Sequence, residues 1–159
     1  MNTELAERLA AAGVELLPQP APKHPYEIAL RAGDVLYLSG KTAMRDGKVV
    51  YTGRVGAESS LEDAKSAAAL CATQVLSALE ATVGLENVAA MLKVTVFVAS
   101  APGFVAQPEV ANVASRLFLD VLGDAGRHTR SAVGVAMLPG DSTVEIEAAV
   151  LLTSGGAAA

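Results

Sequence analysis

Apolar residues recur at helical spacing in two long stretches. Leu61, Ala64, Ala68, Ala72, Val75 and Leu79 share one face, and Val110, Ala114, Leu117 and Val121 share another. Ser59 with Glu62 reads as a capping box before the first stretch, and Gly84 stops it. Pro108 suits the first turn of the second, and Gly123 ends it. A shorter helix is expected over residues 3–12, where Leu5, Leu9 and Ala12 align, Thr3 caps and Gly13 terminates. Elsewhere the period falls to two. Strands are expected at residues 26–30, 35–39, 49–51, 91–99, 131–137 and 143–152. Asp46-Gly47 marks a hairpin before the third, and residues 138–142 are expected to join the last two in a tight hairpin.

Two helices cannot cover both faces of a six-stranded sheet, so both are expected on one face, giving an α+β fold. In the last strand Val144, Ile146, Ala148 and Val150 point one way, and Glu145, Glu147, Ala149 and Leu151 the other. Both faces are partly apolar, and a second subunit is the simplest cover for the one without helices. Pro18, Pro20, Pro22 and Pro25 force an extended segment. The expected organisation is a helix and proline-rich arm over 1–25, one domain over 26–153, and a flexible tail over 154–159.

Composition narrows the class. The 159 residues suffice for a single core, and with 52% hydrophobic residues, no Trp and only 4% aromatics that core must rest on Ala, Val and Leu. A formal net charge of −5, without a basic cluster, argues against a nucleic-acid partner. The lone Cys71 excludes an intrachain disulfide and reads as a small core residue. Acids at Glu4 and Glu7 do not suit a signal peptide, and no segment reads as a membrane span, so a cytoplasmic protein is expected. His24 and His128 do not form a metal site. His24 reads as exposed in the arm and His128 as a loop residue.

One stretch points to chemistry. Arg130 opens the expected final hairpin, and the returning strand brings back Glu145 and Glu147. Arginine grips a carboxylate through two parallel hydrogen bonds, and a nearby carboxylate can activate water. The competing reading pairs Arg130 with Glu145 or Asp124 merely to close the hairpin. Glu147 reads better as an interface or solvated residue, and Glu145 divides evenly between the two roles.

Taken together, Arg130-Ser131-x-Val133-x-Val135-x-x-Leu138-Pro139 and Val144-Glu145-Ile146-Glu147-Ala148 resemble the signature of the RidA (YjgF) family. Pro25-Tyr26, Leu38-Ser39-Gly40 and Lys93-Val94-Thr95-Val96-Phe97-Val98 match in the same order, so the resemblance spans roughly residues 17–152. It implies a chorismate-mutase-like homotrimer, with a six-stranded mixed sheet, two helices on one face and an added N-terminal helix. Ligand sites in that family lie in clefts between subunits. Its best-known members, the 2-iminobutanoate/2-iminopropanoate deaminases, hydrolyse reactive 2-imino acids or their enamine tautomers to 2-keto acids and ammonia without a cofactor.

Carried onto this chain, the resemblance makes Arg130 the carboxylate grip and puts Glu145 beside the attacking water. Tyr26, Ser39 and Gly40 enclose the ligand, with Asn112 near the cleft. Lys41 stands where the archetype has glutamine, and Ala132 where it has cysteine. Lys41 adds a second cation and admits a larger or dianionic ligand. The partner implied is a small carboxylate-bearing metabolite, not nucleic acid or membrane. The alternatives are a non-catalytic carboxylate-metabolite-binding protein on the same scaffold, an endoribonuclease, and, last, a chorismate mutase, which needs more cations than Arg130 and Lys41.

Overall fold

The computed structural model describes residues 1–21 and 25–153. Pro22, His24 and the 154–159 tail lie outside the described residues, so the expectations for them stay open. The elements are α1 (Thr3–Ala11), β1 (Ala29–Ala32), β2 (Val35–Thr42), β3 (Met44–Arg45), β4 (Lys48–Val49), α2 (Leu61–Val83), β5 (Val88–Ala99), α3 (Gln107–Leu122), β6 (Thr129–Val135) and β7 (Val144–Leu152).

Five strands form the main sheet in the order β1-β2-β7-β5-β6, and β3 with β4 make a separate two-stranded ribbon. The expected six-stranded sheet is corrected here: the strand returning from Asp46-Gly47 pairs only within its own ribbon. β5 pairs in parallel with β6 and antiparallel with β7, so the sheet is mixed. The expected hairpin of the last two strands is also corrected, because β5 lies between them. Ser100 N donates to Val135 O and Ala99 N to Thr143 O, both at 2.9 Å, so the end of β5 separates the two strands. The segment between them, with a 3-10 turn at Pro139–Asp141, is a crossover. The physical reason lies in β5, whose Val94, Val96 and Val98 are fully buried. Such a strand gains most from a neighbour on each side.

α2 packs over β7 and β2, α3 over β5 and β6, and α1 lies against α3. Both long helices therefore sit on one face, as expected. On α2 the fully buried Ala64, Ala67, Ala68, Cys71 and Ala72 allow close approach to the sheet. By length and composition α2 could cross a membrane, yet here it is the core helix, with 56% of its most apolar window buried. Its cap is one residue later than expected. Ser60 Oγ accepts from Asp63 N at 3.1 Å while Asp63 Oδ2 accepts from Ser60 N at 3.4 Å. The neighbouring Ser59 is buried and its amide is tied to Arg54 O at 3.0 Å. The first helix is capped by Asn2, whose Oδ1 accepts from Leu5 N at 2.9 Å, and not by Thr3. Strand β1 starts three residues after the expected position, leaving Tyr26 in the lead-in segment.

Candidate functional site

Arg130 stands on β6 opposite Val94, a residue buried toward the helices. Its side chain therefore leaves the sheet on the helix side. There Nη1 donates to Asn112 Oδ1 and to Ser115 Oγ, both at 3.0 Å, from successive turns of α3. His128 supports the second contact. Its Nδ1 lies 2.7 Å from Gly126 O and its Nε2 2.9 Å from Ser115 Oγ. A carbonyl only accepts, which assigns the ring proton to Nδ1; Nε2 of the neutral ring then accepts the Ser115 hydroxyl proton. Ser115 is left presenting a lone pair to Arg130. The Phe118 ring meets the imidazole edge-on, at 5.9 Å between centroids and 84°.

Neither structural partner weighed for Arg130 takes it. Asp124 bonds Arg127 at 3.0 Å, and no salt bridge among the described residues includes Arg130. Asn112 and Ser115 hold the guanidinium through neutral oxygens, so its charge stays available to an anion.

Glu145 lies elsewhere. It follows the buried Val144 and precedes the buried Ile146, so it points away from the helices, opposite to Arg130. The ladder also offsets the two. Arg130 aligns through Val94 with Ala148, whereas Glu145 aligns with Phe97. With β5 between them and about 3.3 Å per residue along each strand, their backbones are on the order of 14 Å apart. Within one chain they cannot share a small ligand.

Glu145 instead meets Gly40. A Cβ on Gly40 would collide with the Glu145 carboxylate, whose Cδ would stand 2.8 Å away. The approach follows from an irregularity in β2, which shifts register between Leu38 and Lys41 against β7. Ser39 is held beside it, its Oγ donating to Glu27 O at 2.6 Å. Burial first, and then the charge of Glu147, raise the Glu145 carboxyl above its ordinary value. The folded chain thus holds this proton more tightly than the unfolded chain does. Glu145 supports stability at pH below the ordinary carboxylate range and opposes folding as pH rises through its elevated folded value. A carboxyl-carbon NMR titration is expected to find its midpoint above 4.5, the ordinary value, and Glu147→Gln should move that midpoint down.

Past Gly40, Lys41 turns toward the helix side. Its Nζ donates to Gln19 Oε1 at 3.1 Å. Gln19 Nε2 donates to Gln74 Oε1 on α2 at 2.7 Å, and Gln74 Nε2 to Met44 O at 2.6 Å. The arm is anchored independently by Leu17 N, which donates to Ser77 Oγ at 2.9 Å. Between arm and sheet opens a cavity of about 400 Å³, to which Tyr26, Gly40 and Lys41 all contribute.

The residues expected to share a site thus fall into two groups. Arg130 and Asn112 lie together near the β6 margin of the sheet. Tyr26, Ser39, Gly40 and Lys41 lie together toward the β1–β2 margin, with Glu145 against Gly40. Sequence reading missed Ser115, Gln19 and Gln74 and took His128 for a loop residue only. His128 does lie in the loop before β6, but its ring is fully engaged. Ser115 was reachable in principle, three residues after Asn112 on the same helical face.

The fold is that of a small α+β protein with a mixed sheet, and the candidate residues lie at two of its margins. The family model described as Endoribonuclease L-PSP matches residues 17–152. The chain is 40% identical over 152 residues to protein TCP17 of Trypanosoma cruzi, covering 94% of this chain and 95% of that protein. Among solved structures, Atu1372 of Agrobacterium tumefaciens aligns with a TM-score of 0.87 at 39% identity over 94% of each chain. The YjgF gene product of E. coli aligns at 0.60 with 26% identity, over 83% of this chain and 91% of that one. This chain belongs to the endoribonuclease L-PSP family, the family of YjgF and RidA.

Proposed function

We propose that this protein hydrolyses reactive 2-imino acids and their enamine tautomers to 2-keto acids and ammonia, in clefts built between copies of the chain. The observation that carries the reading is the Arg130 guanidinium: a cation with no acid partner among the described residues, held in place by Asn112 and Ser115. Such a group suits a small carboxylate.

The assembly follows from the division of the site. Arg130 and Asn112 on one copy need the Gly40–Glu145 group of another. A homotrimer, as the family resemblance implies, would provide that contact three times around a ring. The sheet face away from the helices also invites a copy, since Tyr37, Leu92, Val133 and Leu151 are all at least 36% exposed.

The chemistry asks little of the protein. The imine carbon is already electrophilic. Arg130 fixes the carboxylate, and Glu145 takes a proton from water as the oxygen bonds to the iminium carbon. Glu145 then returns that proton to the amino nitrogen, ammonia leaves, and the hydroxyl proton passes back to Glu145 as the keto acid forms. A carboxylate with an elevated proton affinity is a better base for that step than an ordinary surface acid. The test is ammonia release from freshly generated 2-iminopropanoate against the spontaneous rate. Acceleration is expected. No acceleration across several imino acids would overturn the catalytic reading and leave a carboxylate-binding protein.

RNA cleavage, which the family description names, finds less support in this chain. Among the described residues Arg8, Arg31, Arg54, Lys65 and Arg127 each pair with a nearby acid, which leaves fewer free cations for a phosphate backbone.

Ser115 gives a further prediction. Removing its hydroxyl frees one side of Arg130, a hydrogen bond worth about 0.5–1.5 kcal/mol. Ser115→Ala should weaken binding of a 2-keto acid by about fivefold and that of the matching 2-keto amide, which lacks the charge, by much less. Equal losses for acid and amide would mean that Ser115 only supports packing.

A further inference from the structure

We infer that the cavity beneath the N-terminal arm is a side-chain pocket selecting substrates that end in a second carboxylate, with Lys41 as its counter-charge. This rests on the proposed imine hydrolysis and names its substrate class as four- and five-carbon 2-imino dicarboxylic acids.

Lys41 resembles Arg130 in lacking an acid partner among the described residues. Its chain carries 17 acids against 12 Lys and Arg, yet no salt bridge among the described residues includes Lys41. An ammonium has three donors, and a single neutral acceptor, Gln19 Oε1, takes one. The Met44–Gln74–Gln19 relay fixes that acceptor. Met44 O can only accept, so Gln74 donates to it, accepts from Gln19, and leaves the Gln19 oxygen for the amine. The amine is therefore positioned at the cavity wall while most of its hydrogen-bonding capacity stays unused. Burial lowers its pKa, and an anion bound beside it would offset that shift by favouring the charged amine.

The remainder of the wall sets the rest of the ligand. Leu17, Pro18, Pro20, Ile28 and Met44 are apolar, while Arg45 and Asp46 at the hairpin contribute one charge of each sign. A short aliphatic chain ending in an anion fits such a lining. The volume, about 400 Å³, exceeds what the methyl group of 2-iminopropanoate needs. Tyr26 and Gly40 line this cavity and also belong to the proposed reaction site, and Glu145 lies against Gly40.

The test uses stable product analogues of equal length, 2-ketoglutarate and 2-ketopentanoate, titrated by calorimetry into the assembled protein. The wild type should bind the dicarboxylate at least about tenfold tighter. Lys41→Met should reverse the preference, and Lys41→Arg should partly restore it. Arg130→Ala should weaken both ligands alike, because both carry the carboxylate beside the keto group. Lys41→Met should fold at least as stably as wild type, since it removes an uncompensated, half-buried charge. Equal wild-type affinities for the two acids, or equal losses for both in Lys41→Met, would overturn the inference. Lys41-dependent binding that ignores Arg130→Ala would overturn the imine-site reading instead and leave an independent anion pocket.

Discussion

Arg130→Ala is expected to abolish accelerated hydrolysis of 2-iminopropanoate while leaving the protein folded and assembled. A hydrogen bond to a charged group contributes about 1.5–3 kcal/mol, and a forked grip supplies two, so loss of about a hundredfold or more is the expected scale. Arg130→Lys keeps the charge but loses the fork, and should fall between the two proteins. The fold should tolerate both changes, because β6 is an edge strand and Arg130 is only half-buried. Mixing gives the sharper result. Glu145→Gln should also be inactive alone. If each site takes Arg130 from one copy and Glu145 from its neighbour, co-assembly of the two variants rebuilds intact sites. In a randomly mixed ring of equal parts, about a quarter of the sites carry both groups. Recovery toward a quarter of wild-type activity is therefore expected after dissociation and joint reassembly. Two inactive variants that stay inactive together, despite verified mixing, would mean that both groups act within one chain.

The hairpin once expected around Arg130 shows what local sequence cannot specify. Turn residues at 138–142 mark a change of direction, but not which strand the chain returns to. That choice was made by Val94, Val96 and Val98, whose burial demands neighbours on both sides of β5. The periods themselves were legible. α2 follows its apolar stripe and α3 does so except that Phe118, not Leu117, is buried, and the alternation of β7 separates Val144 from Glu145. The cap of α2 was displaced by one residue because two adjacent candidates, Ser59 and Ser60, differ only in what the preceding loop does with them. The family resemblance put Arg130 and Asn112 near one cleft, and the two are hydrogen-bonded. The partners of Lys41 were not. Gln19 reaches it from an arm fixed by prolines, where no periodicity constrains the register, and Gln74 reaches across from another element. Contacts of that kind arise only from tertiary packing.

Gly40→Ala is expected to reduce turnover by about a hundredfold, the scale set by misplacing a reacting group by roughly 1 Å, with a much smaller effect on stability. Gly40 is not among the residues with positive φ, so an added methyl meets no backbone penalty there. What it meets is the Glu145 carboxylate, with Cδ at 2.8 Å and Cγ at 3.1 Å from the new atom. That carboxylate is the free end of a rotatable side chain. It can swing aside at a cost of about 1 kcal/mol, typical of a single substitution, whereas the strand beneath it stays paired with β2 and β5. The displaced acid no longer faces the water it should activate. Glu145→Ala removes the base outright, a loss of about 10²–10⁴-fold where a general base is used. In that background Gly40→Ala has nothing left to displace, so the double variant should be no slower than Glu145→Ala alone. Activity and thermal unfolding measured on all four proteins close the cycle. If Gly40→Ala slows the enzyme by the same factor with and without Glu145, the glycine acts through the strand itself, and the carboxylate loses its place in the proposed mechanism.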